Sequence, residues 1–167
     1  MTKRKRPRFL LPEQTPPAGC AYFFDGGLRF VCRRCGACCT GATGTIYVAR
    51  DEIAPVAAAL FVSEAELIER YCYPFRDSFS LRERKDGSCC LYDGGCTVYP
   101  VRPRQCRTWP FWFDVMRSEK RWHNAAKNCP GIGQGRLHTR KEILRCIAQS
   151  YPGPRKETKG WKTCPTD

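Results

Sequence analysis

The sequence predicts a small, irregular, cysteine-rich α+β domain, with short helices and hairpins gathered around a metal centre. Three observations carry that prediction. Thirteen cysteines fall in 167 residues, four of them within Cys32-Arg33-Arg34-Cys35-Gly36-Ala37-Cys38-Cys39. Thirteen prolines and fourteen glycines break the chain into short pieces. Between the breaks, helical and strand periodicities alternate, and no apolar run approaches membrane-spanning length.

The chain divides into a basic, Pro-rich tail over 1–19, a cysteine-cluster metal-binding domain over 20–151, and a basic flexible tail over 152–167. Tyr22-Phe23-Phe24 and Leu28-Arg29-Phe30-Val31 flank Asp25-Gly26-Gly27, a hairpin pattern that delivers the chain into Cys32. Ile46-Tyr47-Val48 reads as a short strand. Ile53, Val56, Ala57, Leu60 and Phe61 have helical spacing, and Pro55 requires that helix to begin near Asp51. Ser63-Glu64-Ala65-Glu66 is a capping box opening a second helix, with Cys72 at its end.

Phe79, Leu81 and Glu83 alternate with polar neighbours before an Asp86-Gly87 turn, and Ser88–Tyr92 reads as the returning strand. Asp93-Gly94-Gly95 turns again into Cys96–Tyr99, and Pro100 and Pro103 stiffen the approach to Cys106. Trp109–Phe113 reads as core, or as a hydrophobic wall over the metal centre. Ser118–Asn128 is a helix stopped by Cys129-Pro130-Gly131. Thr139-Arg140-Lys141-Glu142 is a capping box for a last helix through Gln149.

The spacing C-x2-C-x2-C-C suits a soft metal, because the thiolate is the ligating form and a turn-forming Gly lets close thiols face one centre. Adjacent Cys38 and Cys39 point in different directions on any regular backbone, which is awkward for one tetrahedral ion and easier on a polynuclear cluster or two neighbouring sites. A disulfide knot is the competing explanation. Lys3-Arg4-Lys5-Arg6 leads only to Phe9-Leu10-Leu11 before Pro12 and Glu13 intervene, so no secretory signal develops. The expectation is therefore a cytoplasmic protein with free thiols and no membrane association. The odd cysteine count leaves at least one thiol unpaired in any disulfide scheme.

The first loop supplies four candidate ligands: Cys32, Cys35, Cys38 and Cys39. Cys89 or Cys90, then Cys96, Cys106 and Cys129, follow at turns and element ends. Cys20 and Cys164 lie beside or within the tails, and Cys72 and Cys146 sit among apolar helical residues as small buried side chains. His123 and His138 read as ordinary surface or packed histidines. The net charge of +13 lies partly in the tails, through Lys3, Arg4, Lys5, Arg6 and Arg8 at the start. Such arms can hold nucleic acid weakly. The core excess has a nearer use. Arg33, Arg34, Arg102, Arg104 and Arg107 flank the cysteines and can balance thiolate charge, with Arg102 and Arg107 the best placed to donate N–H groups to sulfur.

With these residues in view, the sequence resembles the CxxCxxCC cysteine-cluster family, described as a zinc- or iron-chelating domain and taking in flagellin lysine N-methylases. The match runs through Cys32-x2-Cys35-Gly36-x-Cys38-Cys39 and Asp86-Gly87-Ser88-Cys89. It continues through Cys96-Thr97-Val98-Tyr99-x2-Arg102-Pro103-x2-Cys106-Arg107-Thr108, Pro110-Phe111-Trp112 and Cys129-Pro130-Gly131-Ile132-Gly133. The resemblance implies eight metal ligands: Cys32, Cys35, Cys38, Cys39, Cys89, Cys96, Cys106 and Cys129. It favours Cys89 over Cys90, while a cysteine at both positions leaves that choice open.

The implied function is a metal-binding protein, with an Fe–S cluster serving a redox, sensing or enzyme-accessory role. The alternative is a structural zinc module for a protein or nucleic-acid partner. A third reading, a protein-lysine methylase-like enzyme, rests on the methylase relatives alone. The chain has no clear glycine-rich cofactor loop, and Ala42 stands where a C-x3-C-x2-C motif would need its third cysteine. No catalytic residue is assigned.

Overall fold

The computed structural model describes residues 22–40 and 44–150. The tails over 1–19 and 152–167, with Cys20 and Cys164, lie outside the described residues. The chain is a mixed α+β fold. Its elements in order are β1 (Leu28–Phe30), α1 (Ala37–Thr40), β2 (Tyr47–Val48), α2 (Arg50–Ala59), α3 (Glu64–Tyr71), β3 (Cys72–Phe75) and β4 (Ser78–Leu81). A 3-10 turn (Tyr99–Val101) follows, then α4 (Arg104–Thr108), α5 (Phe113–Met116), α6 (Glu119–Asn128), β5 (Ile132–His138) and α7 (Arg140–Ser150).

Two hydrophobic cores divide these elements. In the first, the antiparallel sheet β2-β4-β3 packs under α2 and α3 through Val48, Ile53, Val56, Leu67, Cys72 and Leu81, joined by Leu91 and Val98. In the second, the ribbon β1-β5 packs with α5, α6 and α7 through Phe24, Phe111, Met116, Trp122, Ile143, Leu144 and Ile147. Full burial of a side chain such as Leu67 or Ile143 contributes roughly 1.5–3 kcal/mol. Short α4 touches both β2 and α7 and so lies between the cores.

The caps explain the helix starts. The Ser63 hydroxyl accepts from the Glu66 N–H at 3.1 Å, and the Ser118 hydroxyl accepts from the Arg121 N–H at 3.3 Å. Thr139 and Glu142 form the reciprocal box at α7, with Thr139 N–H donating to the Glu142 carboxylate at 2.7 Å. Pro55 lies in the second turn of α2 rather than the first, on an exposed position.

Two strand expectations need correction. The pairing partner of Leu28–Phe30 is β5, not Tyr22–Phe24: Leu28 faces His138 and Phe30 faces Ile132. Residues 22–25 instead close a turn, with Asp25 N–H donating to the Tyr22 carbonyl at 3.0 Å. The aromatic trio is drawn into the second core, where Phe24 is buried and stacks on Tyr22. The segment 88–92 forms only isolated bridges, Glu83 with Cys89 and Tyr92 with Cys96, rather than a strand. Among the described residues no helix is long and apolar enough to cross a membrane.

Candidate metal centre

A cavity of about 930 Å3 opens where the two cores meet, and Cys32, Cys35, Cys38, Cys39, Cys89, Cys96, Cys106 and Cys129 all line it. Four separate stretches of chain deliver these thiols.

The first stretch turns sharply after β1. Arg34 (φ 54°) and Gly36 (φ 77°) both take left-handed backbone. Glycine is needed at 36 for a second reason: a Cβ there would come within 2.6 Å of the Tyr92 ring. The Gly36 carbonyl then accepts the Cys39 N–H at 2.7 Å and starts α1. Both Cys38 and Cys39 look into the cavity from this single turn, with their sulfurs 4.0 Å apart.

The second stretch is fastened directly to the first, because the Cys89 N–H donates to the Cys39 carbonyl at 2.8 Å. Cys89 faces the cavity. Cys90 does not line it; its thiol donates to the Tyr71 carbonyl at 3.5 Å and packs against the first core. Asp93-Gly94-Gly95 closes a tight turn that brings Cys96 back beside Tyr92.

The third stretch is α4, carrying Cys106. Its placement depends on Glu52, whose carboxylate accepts the Arg104 N–H at 2.7 Å and the Ala49 N–H at 3.0 Å. The Gln105 side chain adds two bonds to β2 and its approach, from Tyr47 N–H at 2.9 Å and to the Thr45 carbonyl at 3.0 Å. The fourth stretch ends α6 at Cys129. Gly131 lies so close to the Val31 carbonyl that a Cβ could not be inserted, and Val31 N–H donates to the Gly131 carbonyl at 3.1 Å. That contact ties the Cys129 turn to the strand leading into Cys32.

The lining chemistry is dominated by sulfur. Neither histidine contributes: His123 is exposed on α6, and the His138 ring nitrogen lies 3.2 Å from the Phe30 carbonyl oxygen. Among the described residues Glu83 is the one acidic side chain in the lining, against Arg33, Arg34, Arg82 and Arg102. The Arg34 and Arg102 guanidiniums sit 4.2 and 3.8 Å from the centre of the Tyr99 ring. Arg104 and Arg107 turn elsewhere, to Asp51 and Glu52 for the first and to Glu52 for the second. The expectation that Arg107 donates to sulfur therefore fails; the buried Glu52 carboxylate offers it the stronger partner. Trp109 takes such a role instead, donating its indole N–H to the Cys129 sulfur at 3.4 Å. Nothing in the local sequence singled out that contact, or the tie from Glu52 to α4.

The thiols differ in acidity. A hydrogen bond with Cys39 lowers Cys38 to about 7, and the same bond pushes Cys39 up. A hydrogen bond with Cys90 lowers Cys89 to about 7 and raises Cys90. Burial raises Cys96 and Cys106, with Arg102 opposing it. Cys38 and Cys89 are thus poised to ionise near neutral pH, while Cys39, Cys96 and Cys106 are held back from ionising. Among the described residues no three His, Cys, Asp or Glu side chains are drawn together tightly enough to hold an ion. The thiols ring a space rather than clasp a point. Eight thiols edged with arginines and an indole N–H fit a soft, thiolate-bound metal group.

Comparison with known proteins agrees with that chemistry. A family profile matches residues 31–130, spanning all eight cavity cysteines. The chain belongs to the CxxCxxCC family. Its description is "Putative zinc- or iron-chelating domain", so metal binding is the family's property, with zinc and iron both within it. An uncharacterized protein of Methanocaldococcus jannaschii, MJ0661, is 30% identical over 92 residues, covering 53% of this chain and 48% of the relative. The chain thus spans about half the length of that relative. No solved structure matches the chain.

Proposed function

We propose that this CxxCxxCC domain holds an iron–sulfur centre on Cys32, Cys35, Cys38, Cys39, Cys89, Cys96, Cys106 and Cys129, and that it serves a redox, sensing or enzyme-accessory role in the cytoplasm. The observation that carries the reading is the number of sulfurs around one cavity. Eight thiols line a single space of about 930 Å3, twice what one tetrahedral zinc uses. Cys38 and Cys39 both reach it from one helical turn, an arrangement that suits different irons of a cluster. Such a centre supplies one-electron acceptance and donation; the chain's own residues orient the sulfurs, through Glu52, Gly36 and Gly131, and offset their charge, through Arg34 and Arg102. The metal-binding unit in this reading spans residues 20–151.

Zinc remains the second reading, because the family description covers it and an all-sulfur site is compatible with it. Anaerobic purification distinguishes the two. The expected product is brown, with iron and acid-labile sulfide. A colourless protein with stoichiometric zinc would replace the cluster by a structural zinc module.

A further inference from the structure

We propose that Trp109 is a positioning residue for the metal centre: its indole N–H fixes the Cys129 sulfur and draws charge from it. The inference rests on Cys129 being a ligand. An indole nitrogen is a donor only, and a half-buried indole normally finds an oxygen. Here it finds sulfur, at 3.4 Å, and this is the side-chain hydrogen bond the Cys129 sulfur accepts among the described residues.

The indole is not free to choose. Its ring meets Trp112 edge-on, with centroids 4.8 Å apart and planes at 81°. Trp112 is itself held by its own N–H to the Gln105 carbonyl at 2.6 Å. Gln105 in turn is bonded by its side chain to Tyr47 and Thr45. A continuous chain of contacts therefore runs from the sheet of the first core, across Trp112 and Trp109, to a sulfur at the end of α6 in the second. Cys38, Cys96 and Cys106 lie in the field of Arg102. Cys129 instead receives a neutral donor, which orients sulfur without adding a charge.

A donor aimed at a ligand atom has two measurable effects. It strengthens retention of the metal, whichever metal it is, and it favours the reduced form of a redox-active centre by withdrawing charge from sulfur. Trp109→Phe keeps the ring and deletes the N–H. In the full chain, it should release metal to a chelator about tenfold faster or more. In an iron-loaded protein, it should also shift the reduction equilibrium toward the oxidised form.

Trp122→Phe is the control. It removes a similar indole from the second core, stacked on Phe111 and away from the cavity. It should lower the melting temperature while leaving the reduction equilibrium in place. Equal effects from both variants, or none from Trp109→Phe, would overturn the proposal in favour of packing alone. Should Trp109→Phe fail to fold, the wild-type chain loaded with cadmium-113 provides the second test. The Trp109 indole proton should show a scalar coupling to cadmium across the sulfur, and its absence would overturn the proposal. A wild-type protein that purifies and reconstitutes without any metal removes the metal reading first, and this inference with it.

Discussion

The chain contains two pairs of adjacent cysteines, and the fold uses them differently. Cys38 and Cys39 ride on one turn of helix, where neighbours diverge by about 100°, and both reach the cavity. Cys89 opens a tight turn, closed by the Tyr92 N–H donating to the Cys89 carbonyl at 3.0 Å, and Cys90 lies inside that turn. Both pack against the first core, but Cys89 also lines the cavity, whereas Cys90 does not and turns its thiol to the Tyr71 carbonyl. The same dipeptide thus brings two sulfurs to the cavity from one backbone and one sulfur from the other. Local backbone geometry, more than residue identity, decides how many sulfurs a Cys-Cys sequence offers to a metal.

Removing the metal should expose the largest difference between the two pairs. The Cys32–Cys39 stretch has few buried side chains of its own, while the Cys89–Leu91 stretch is anchored in the first core by Leu91. Structural metal sites contribute on the order of 10 kcal/mol to folding, comparable to the whole stability of a small domain. A strong chelator should lower the melting transition substantially. Hydrogen exchange should show residues 32–40 losing protection before residues 89–91. Equal loss in both would mean that the core does not support the second pair.

Single substitutions sharpen the contrast. Cys38→Ala and Cys39→Ala should each deplete bound metal, and so should Cys89→Ala, whereas Cys90→Ala should retain the parent's metal content by elemental analysis. Metal loss from Cys90→Ala with retention in Cys89→Ala would reverse the assignment of that bridge.

Acidity should separate the members within each pair. In metal-free protein, Cys38 and Cys89 are lowered to about 7 and their neighbours are raised. Alkylation at pH 8 should therefore label Cys38 and Cys89 first, because thiolate reacts and thiol does not. Their rates should climb as pH rises through 7. The stability linked to Cys38 and Cys89 is lost as pH falls from 9 toward 7, and their raised neighbours oppose it as pH climbs above 9. Mass spectrometry of the labelled peptides checks the order, and simultaneous labelling of both neighbours would refute it.

The smallest effect belongs to the thiol in the core. Cys90→Ala should cost about 1 kcal/mol, the magnitude of a small apolar group withdrawn from burial. Chemical denaturation measures it, and a loss of several kcal/mol would assign Cys90 a larger part.

How much of this was legible in sequence follows from how local each determinant is. The caps at Ser63, Ser118 and Thr139 act within four residues, and the helices begin where those patterns stand. The pairing of β1 with β5 joins residues more than a hundred apart, and Gly133 and Gly135 erase the alternation that would have marked β5. The thiols' shared cavity agrees with their spacing at turns and element ends. What holds them there was not readable: Glu52 reaches α4 from fifty-two residues away, and it captures Arg107, which the sequence alone had turned toward sulfur.

The contact between Gly131 and Val31 has a consequence for how the protein is made. It brings the Cys129 turn against the strand that leads to Cys32, so the cavity is closed by its first and last cysteines. About a hundred residues separate them, and at 5–20 residues per second a ribosome needs roughly 5–20 s to add that much chain. The first four sulfurs, Cys32 to Cys39, are made at the start of that interval, Cys89, Cys96 and Cys106 follow within it, and the eighth comes only at its end. A nascent chain cannot close the cavity before Cys129 is added, and the thiols made earlier stand open until then.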